Sequence, residues 1–305
     1  MEKPRIICLM GPTASGKTPL AVELVQRFPL EIISVDSAMV YRGMDIGTAK
    51  PDADTLKKAP HRLIDIVDPS KPYSAGNFCR DALQAINEIH LKGKTPLLVG
   101  GTMMYFRALQ QGMAVLPTRD DTLRKALSVR AEQEGWGALH QSLAAVDPES
   151  AARINPADGQ RIQRALEVFM LTGKTMTAIQ HETKSALADF KVINIGLTLA
   201  PRAWLHERIA LRFEQMLEQG FIHEVNRLYQ RGDLNADMPS MRSVGYREVW
   251  QYFNGEIDYD HMKANAIAAT RQLAKRQLTW LRSWPGLIEF DSSDAKYYEE
   301  VAALI

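Results

Sequence analysis

This chain is poor in three things, and each scarcity removes a class of protein. Its 305 residues hold two cysteines, Cys8 and Cys79, far apart and without partners at metal-ligand spacing. A disulfide-stapled secreted fold and a thiolate zinc site are both excluded, and a reduced, cytoplasmic setting is expected. Net charge is scarce as well, because 37 Lys and Arg stand against 36 Asp and Glu and leave +1. A polyanionic partner would therefore be held by local clusters of Arg and Lys and not by a global field. Long apolar runs are missing too, as is a basic segment leading into an apolar stretch, so neither membrane insertion nor secretion is expected. With 46% apolar and 24% charged residues, an ordinary folded protein remains, large enough for one big domain or two smaller ones.

What is present begins at residue 5. An apolar run over residues 5–10 leads into Gly11-Pro12-Thr13-Ala14-Ser15-Gly16-Lys17-Thr18, which fills every fixed position of G-x-x-x-x-G-K-[ST]. Backbone amides at a helix start attract phosphate, the glycines let the main chain approach it, Lys17 adds a point charge, and the Thr18 hydroxyl can ligate Mg²⁺. This loop predicts di- or triphosphate binding without naming the chemistry. Pro19 follows directly and lacks the N–H that often meets the α-phosphate of a nucleoside triphosphate, an absence a diphosphate ester feels less. The next apolar run, 31–35, ends at Asp36-Ser37, at the carboxyl end of a strand where open α/β sheets place ligands. Asp36 there either organises Mg²⁺ or takes a proton from an acceptor, and local sequence leaves both readings open.

Further apolar runs at 62–67 and 96–100 alternate with helical stretches such as 75–91, which predicts an α/β fold: a P-loop core with a largely parallel sheet flanked by helices. The run at 96–100 opens onto Gly100-Gly101-Thr102, a second glycine turn facing the same crevice. From Arg119 to about Gln180 the periodicity is helical with no convincing strand, so an all-helical domain is inserted there. Strand character returns at 192–199. Pro201 then opens a helix with the stripe Leu205, Ile209, Phe213, Met216 and Leu217, and a last long helix spans about 259–284. The expected organisation is a first core part over 1–113, the inserted helical domain over 114–190, and core completion with C-terminal helices over 191–305.

Three basic clusters stand out. Gln160-Arg161-Ile162-Gln163-Arg164 opens a helix of the insert, Arg242-Ser243-Val244-Gly245-Tyr246-Arg247 enters another helix, and Lys275 and Arg282 lie two turns apart on the last one. Each alone reads as well as a solvated face or a capping loop as it does as a phosphate contact. His61, His140 and His181 have no ligand spacing and are expected to be structural, and Trp136, Trp204 and Trp250 are expected to pack in the core or at junctions.

Together with the phosphate loop, the runs Asp36-Ser37-Ala38-Met39-Val40-Tyr41 and Gly43-Met44-Asp45-Ile46-Gly47-Thr48-Ala49-Lys50 resemble the bacterial tRNA dimethylallyltransferases, also called tRNA isopentenyltransferases. The likeness keeps its order over nearly the whole chain and takes in Gly100-Gly101-Thr102-Met103 and all three basic clusters. It implies transfer of a dimethylallyl group from dimethylallyl diphosphate to the N6 amine of the adenosine 3′-adjacent to the anticodon, in tRNAs reading codons that begin with U. On that resemblance Asp36 is the general base, Thr102 a tRNA contact near the reacting centre, and Lys17 and Arg212 neutralise the diphosphate held by Gly11 to Thr18. The same resemblance assigns tRNA contacts to Asp36, Ser37, Ala38 and Met39, to Arg124, to Gln160 through Arg164, to Arg242 through Arg247, and to Lys275, Arg276, Gln277, Leu278, Thr279, Trp280, Leu281 and Arg282. Mg²⁺ is the implied cofactor, the tRNA anticodon stem-loop the implied partner, and a monomer the expected state. The sequence shows no C-terminal pair of cysteines and histidines, so a zinc-finger extension of the eukaryotic type is not expected. Two rivals share the loop: a small-molecule kinase with Asp36 serving its acceptor or metal, and an adenylate isopentenyltransferase acting on free nucleotide. A switch GTPase or ATPase that binds RNA is disfavoured, because no base-specificity motif follows the core strands.

Overall fold

Short apolar runs that alternate between two covered faces make the sheet. The structure, a computed structural model, describes residues 3–112 and 116–305. Its six strands are β1 (Arg5–Met10), β2 (Leu30–Val35), β3 (His61–Arg62), β4 (Thr95–Gly100), β5 (Lys191–Thr198) and β6 (Leu287–Asp291). They lie in the order β3-β2-β4-β1-β5-β6 with every pair parallel. Parallel neighbours need crossovers, and helices cover both faces as a result. On one face Ile6, Cys8 and Met10 of β1 pack with Phe78, Ala82, Ile86 and Ile89 of the helix Ala75–Leu91. On the other, Ile7 and Leu9 pack with Leu20, Ala21 and Leu24 of the helix Lys17–Arg27. Because all strands point one way, β1, β2 and β4 deliver Gly11, Asp36 and Gly101 to the same edge of the sheet.

A third apolar cluster lies beyond the sheet. It joins Tyr41 and Met44 to Phe213, Phe221, Tyr246 and Val249, from the helices Arg202–Glu218, Phe221–Tyr229 and Tyr246–Phe253. All of this belongs to one compact unit, the chain through Gln110 together with Leu187–Ile305. The second unit, Gln111–Ala186, holds the helices Asp121–Glu134, Trp136–Val146, Pro148–Arg153, Gly159–Thr172 and Met176–His181. Asp120, Asp147, Asp158 and Thr175 cap four of these starts, each side chain accepting a backbone N–H of the first turn. Leu127, Leu139, Leu143, Ile162 and Leu166 form its core. The expected boundary between residues 113 and 114 lies outside the described residues. The helical unit ends at Ala186, ahead of the expected 190.

Local differences from the sequence reading have physical reasons. The run 62–67 yields strand only at its first residue, because Leu63 and Asp65 take φ of +62° and +56° and turn the chain away. β6 was not anticipated: its pattern carries Glu289 and Asp291, as suits an edge strand that faces water. The last long helix stops at Arg282, ahead of the expected 284, and Trp204 is exposed instead of packed. Among the described residues no helix is long and apolar enough to cross a membrane.

Candidate active site

The phosphate loop is built for close approach. Gly16, the N-cap of the helix Lys17–Arg27, sits at φ +92°, which a side chain would strain. Pro19 occupies the first turn of that helix, where an N–H has no intrahelical acceptor, so the ring costs no hydrogen bond. Lys17 Nζ folds back and donates to the carbonyl of Pro12 at 2.6 Å. The Ser15 hydroxyl is buried with no hydrogen-bond partner among the described residues, a group that a bound anion can satisfy. The Thr13 amide, by contrast, is already taken, because it donates to Gln277 Oε1 at 2.9 Å.

Asp36 leaves β2 in a tight turn. Its Oδ1 accepts the amides of Ala38 at 2.8 Å and Met39 at 3.1 Å, which fixes the carboxylate and leaves Oδ2 without a hydrogen bond among the described residues. Thr102 Oγ1 accepts from the Ser37 amide at 3.1 Å and donates to the Ser37 hydroxyl at 3.4 Å. The turn after β4 therefore grips the turn after β2.

These groups line one cavity of about 860 Å³, together with Arg208, Arg212, Arg242, Arg276 and apolar side chains such as Met39, Phe213 and Trp280. Its electrostatics are strained in a useful way. Burial first, and then the Arg212 guanidinium, push the Lys17 ammonium down to about 7 against the pull of Asp36. Burial likewise lowers Arg212 from its ordinary value, again opposed by Asp36. Two cations and a carboxylate thus face one another in a desolvated space, the condition in which an incoming anion is held strongly. Among the described residues no group of three or more His, Cys, Asp or Glu could cage a metal. Thr18, which lines the cavity, fits Mg²⁺ held by a single protein oxygen with substrate phosphates and water supplying the rest.

One residue was missed by sequence reasoning. Glu224, buried in the first turn of the helix Phe221–Tyr229, accepts the amides of Asp45 at 2.9 Å, Ile46 at 2.8 Å and Gly47 at 3.1 Å, and the Tyr246 hydroxyl at 2.5 Å. It thereby holds the 45–47 turn against the wall formed by Phe221 and Tyr246, and Gly47, Phe221 and Tyr246 all line the cavity. The signal was an acid within an otherwise apolar stripe of Phe221, Val225 and Leu228. Lys50 closes the same segment from the other side, pairing with Asp45 and Asp65 at 2.5 Å each. His61 also lines the cavity, its Nδ1 2.7 Å from the carbonyl of Ala59 and its pKa lowered by burial.

The residues assigned to tRNA fall into distinct settings. Ser37, Gln160, Arg161, Arg242, Arg247, Lys275, Arg276, Thr279 and Arg282 are exposed, and Ala38, Met39, Ser243, Val244, Leu278 and Trp280 are half-buried. Within the assigned stretches, the side chains of Ile162, 0% exposed, and Leu281, 2% exposed, are packed in the core and do not reach the surface. Gly245 and Tyr246 are buried as part of the cavity wall, and Gln277 is turned inward between two loops. In the helical unit, Glu167 is fully buried and accepts from Arg164 at 2.7 Å, Arg124 at 3.3 Å and the Asp120 amide at 2.9 Å. Burial alone would raise that carboxyl, but these donors outweigh it and hold it below its ordinary value. Gln163 in turn donates to the Arg124 carbonyl and the Ser128 hydroxyl, both at 2.9 Å. Arg124, Gln163 and Arg164 are thus bound into the unit's framework, while Arg161 keeps 70% of its side chain exposed beside Asp158.

The chain is similar to known proteins along nearly its whole length. The IPP transferase family model matches residues 39–284. A tRNA dimethylallyltransferase of Coxiella burnetii (strain Dugway 5J108-111) is 56% identical over 300 residues, covering 98% of this chain and 96% of the relative. One from Thioalkalivibrio sulfidiphilus is 58% identical over 284 residues, covering 93% and 89%. Among solved structures, the tRNA isopentenylpyrophosphate transferase of Bacillus halodurans superposes with a TM-score of 0.73 at 38% identity, over 99% of this chain and 95% of that one. A eukaryotic dimethylallyltransferase acting on tRNA gives 0.82 at 26% identity, over 99% and 78%.

Proposed function

The chain belongs to the IPP transferase family, and from that premise we propose that it transfers a dimethylallyl group from dimethylallyl diphosphate to tRNA. The acceptor is the N6 amine of the adenosine 3′-adjacent to the anticodon in tRNAs reading UNN codons, and the product is N6-isopentenyladenosine. The observation that carries the reading is the shared cavity in which Lys17, Arg212, the phosphate loop, Asp36 and Thr102 meet.

Each side of the reaction finds a group suited to it. The adenine amine is a poor nucleophile because its lone pair is delocalised into the ring. As that pair forms the new bond to the allylic carbon, the free Oδ2 of Asp36 takes the amine proton. On the other side the carbon–oxygen bond breaks and its electron pair leaves with diphosphate. Lys17, Arg212 and the amides from Ala14 to Thr18 receive the departing charge. Mg²⁺, held through Thr18, would neutralise part of that charge when bound. Thr102, fixed to Ser37, lies beside the acceptor and orients the base. A base stacked in an anticodon loop cannot reach a lined cavity, so the target nucleotide is flipped out. The exposed Arg161, Arg242, Lys275 and Arg282 hold phosphates of the anticodon stem-loop, the protein acts as a monomer, and the setting is the cytoplasm.

The test follows the label. Enzyme, Mg²⁺ and radiolabelled dimethylallyl diphosphate are incubated with undermodified tRNA or with AMP, and a parallel set offers labelled ATP with hydroxyl acceptors. Dimethylallyl label on tRNA alone is expected. Label on AMP and not on tRNA, or phosphoryl transfer from ATP, would overturn the proposal.

A further inference from the structure

We propose that Gln277 is a positioning residue and not an RNA contact: its side-chain amide ties the diphosphate loop to the Thr102 turn and holds the two halves of the site in one geometry. The inference rests on the transfer reaction proposed above. The β1–β4 ladder ends at the pair Met10 and Gly100, and beyond it the two chains separate into the phosphate loop and the Gly101-Thr102 turn. Gln277, inside the helix Tyr259–Arg282, reaches into that gap. Its Oε1 accepts the Thr13 amide at 2.9 Å and its Nε2 donates to the Gly101 carbonyl at 2.9 Å. One carboxamide thus does what a further peptide unit of the ladder would do, donating to one chain and accepting from the other.

The surroundings fit that role. A Cβ on Gly101 would collide with Gln277 Nε2, so the glycine there makes room for the brace. The contact also continues toward the proposed base. Gly101 adjoins Thr102, Thr102 bonds both the amide and the hydroxyl of Ser37, and Ser37 adjoins Asp36. A displacement of the phosphate loop is therefore passed through Gln277 to the carboxylate. On the same helix Lys275 is exposed and is not among the residues lining the cavity, so a proposed RNA contact and an internal brace sit two positions apart.

Gln277→Met removes both hydrogen bonds at similar volume, and Gln277→Glu keeps the acceptor for Thr13 but replaces the donor to Gly101 with a charged carboxylate oxygen. Steady-state transfer is measured with the full chain, Mg²⁺, dimethylallyl diphosphate and undermodified tRNA, and Lys275→Ala serves as the RNA-contact comparison. The brace lowers kcat about tenfold or more in Gln277→Met, with the KM for tRNA within about twofold of wild type. Lys275→Ala shows the reverse split, a raised KM for tRNA with kcat held. Should Gln277→Met fail to fold, the same split read in Gln277→Glu decides. A raised tRNA KM with unchanged kcat would make Gln277 an RNA contact and overturn the proposal, as would a lowered Tm with both constants unchanged. A wild-type enzyme that transfers nothing to tRNA would count against the reaction and not the brace. Weaker binding of inorganic pyrophosphate by Gln277→Met than by wild type then still supports the brace, and equal binding overturns it.

Discussion

Lys17 is held well below its ordinary titration range by its surroundings. Burial and Arg212 bring it to about 7, far below an ordinary lysine, so near neutral pH the free protein carries it as a mixture of ammonium and amine. A diphosphate favours the charged form, and its binding takes up a proton. Calorimetry at pH 8 in two buffers of different ionisation enthalpy should show uptake of a fraction of one proton per diphosphate, and affinity should weaken as pH rises above 7. Lys17→Met should abolish both the uptake and the activity. The sign for stability is set by the lowered value, which means that the folded chain binds fewer protons at Lys17 than the unfolded chain between about 7 and the ordinary lysine range. The penalty is full below about 7 and fades as pH rises. Lys17→Met should therefore raise Tm more at pH 6 than at pH 9, and an equal Tm shift at both would contradict the assigned burial.

At the scale of elements, two buried carboxylates organise segments that sequence patterns treat as loops or surface. Glu224→Ala leaves three backbone amides of residues 45–47 without acceptors, and the expected loss is about 3 kcal/mol in a denaturant titration. Tyr246→Phe removes a single donor, and a loss of about 1 kcal/mol is expected. Unchanged midpoints would show the 45–47 turn to be held by other means. In the helical unit, Arg164→Ala strips one donor from buried Glu167 and should destabilise that unit by about 2 kcal/mol, whereas Arg161→Ala should leave Tm where it is. The phosphate loop was legible because its chemistry is written in contiguous residues between a strand and a helix. Glu224 and Gln277 were not, because each acts on backbone groups far along the chain and looks locally like one polar residue on an apolar stripe. Gln160 through Arg164 were legible as a cluster, yet periodicity could not tell exposed Arg161 from Arg164, whose partner Glu167 is settled only by packing.

Over the whole molecule, the α/β alternation and an all-helical stretch could be read from periodicity, since parallel strands and their crossovers repeat a recognisable rhythm. The exceptions lie at the edges of the sheet, where β3 and β6 are short or partly polar and a local turn or water exposure outweighs the apolar signal. With a net charge of +1, the proposed tRNA contacts have to come from local clusters of exposed arginine and lysine. Arg161→Ala should thus weaken tRNA binding and reduce the slope of log affinity against log salt by about 1, and an unchanged slope would remove Arg161 from the interface. The decisive measurement is single-turnover transfer by Asp36→Ala beside its affinity for undermodified tRNA. The expected result is a fall in rate on the order of 10³ with tRNA affinity within about twofold of wild type. A rate equal to wild type would show that the carboxylate after β2 takes no proton from the acceptor amine.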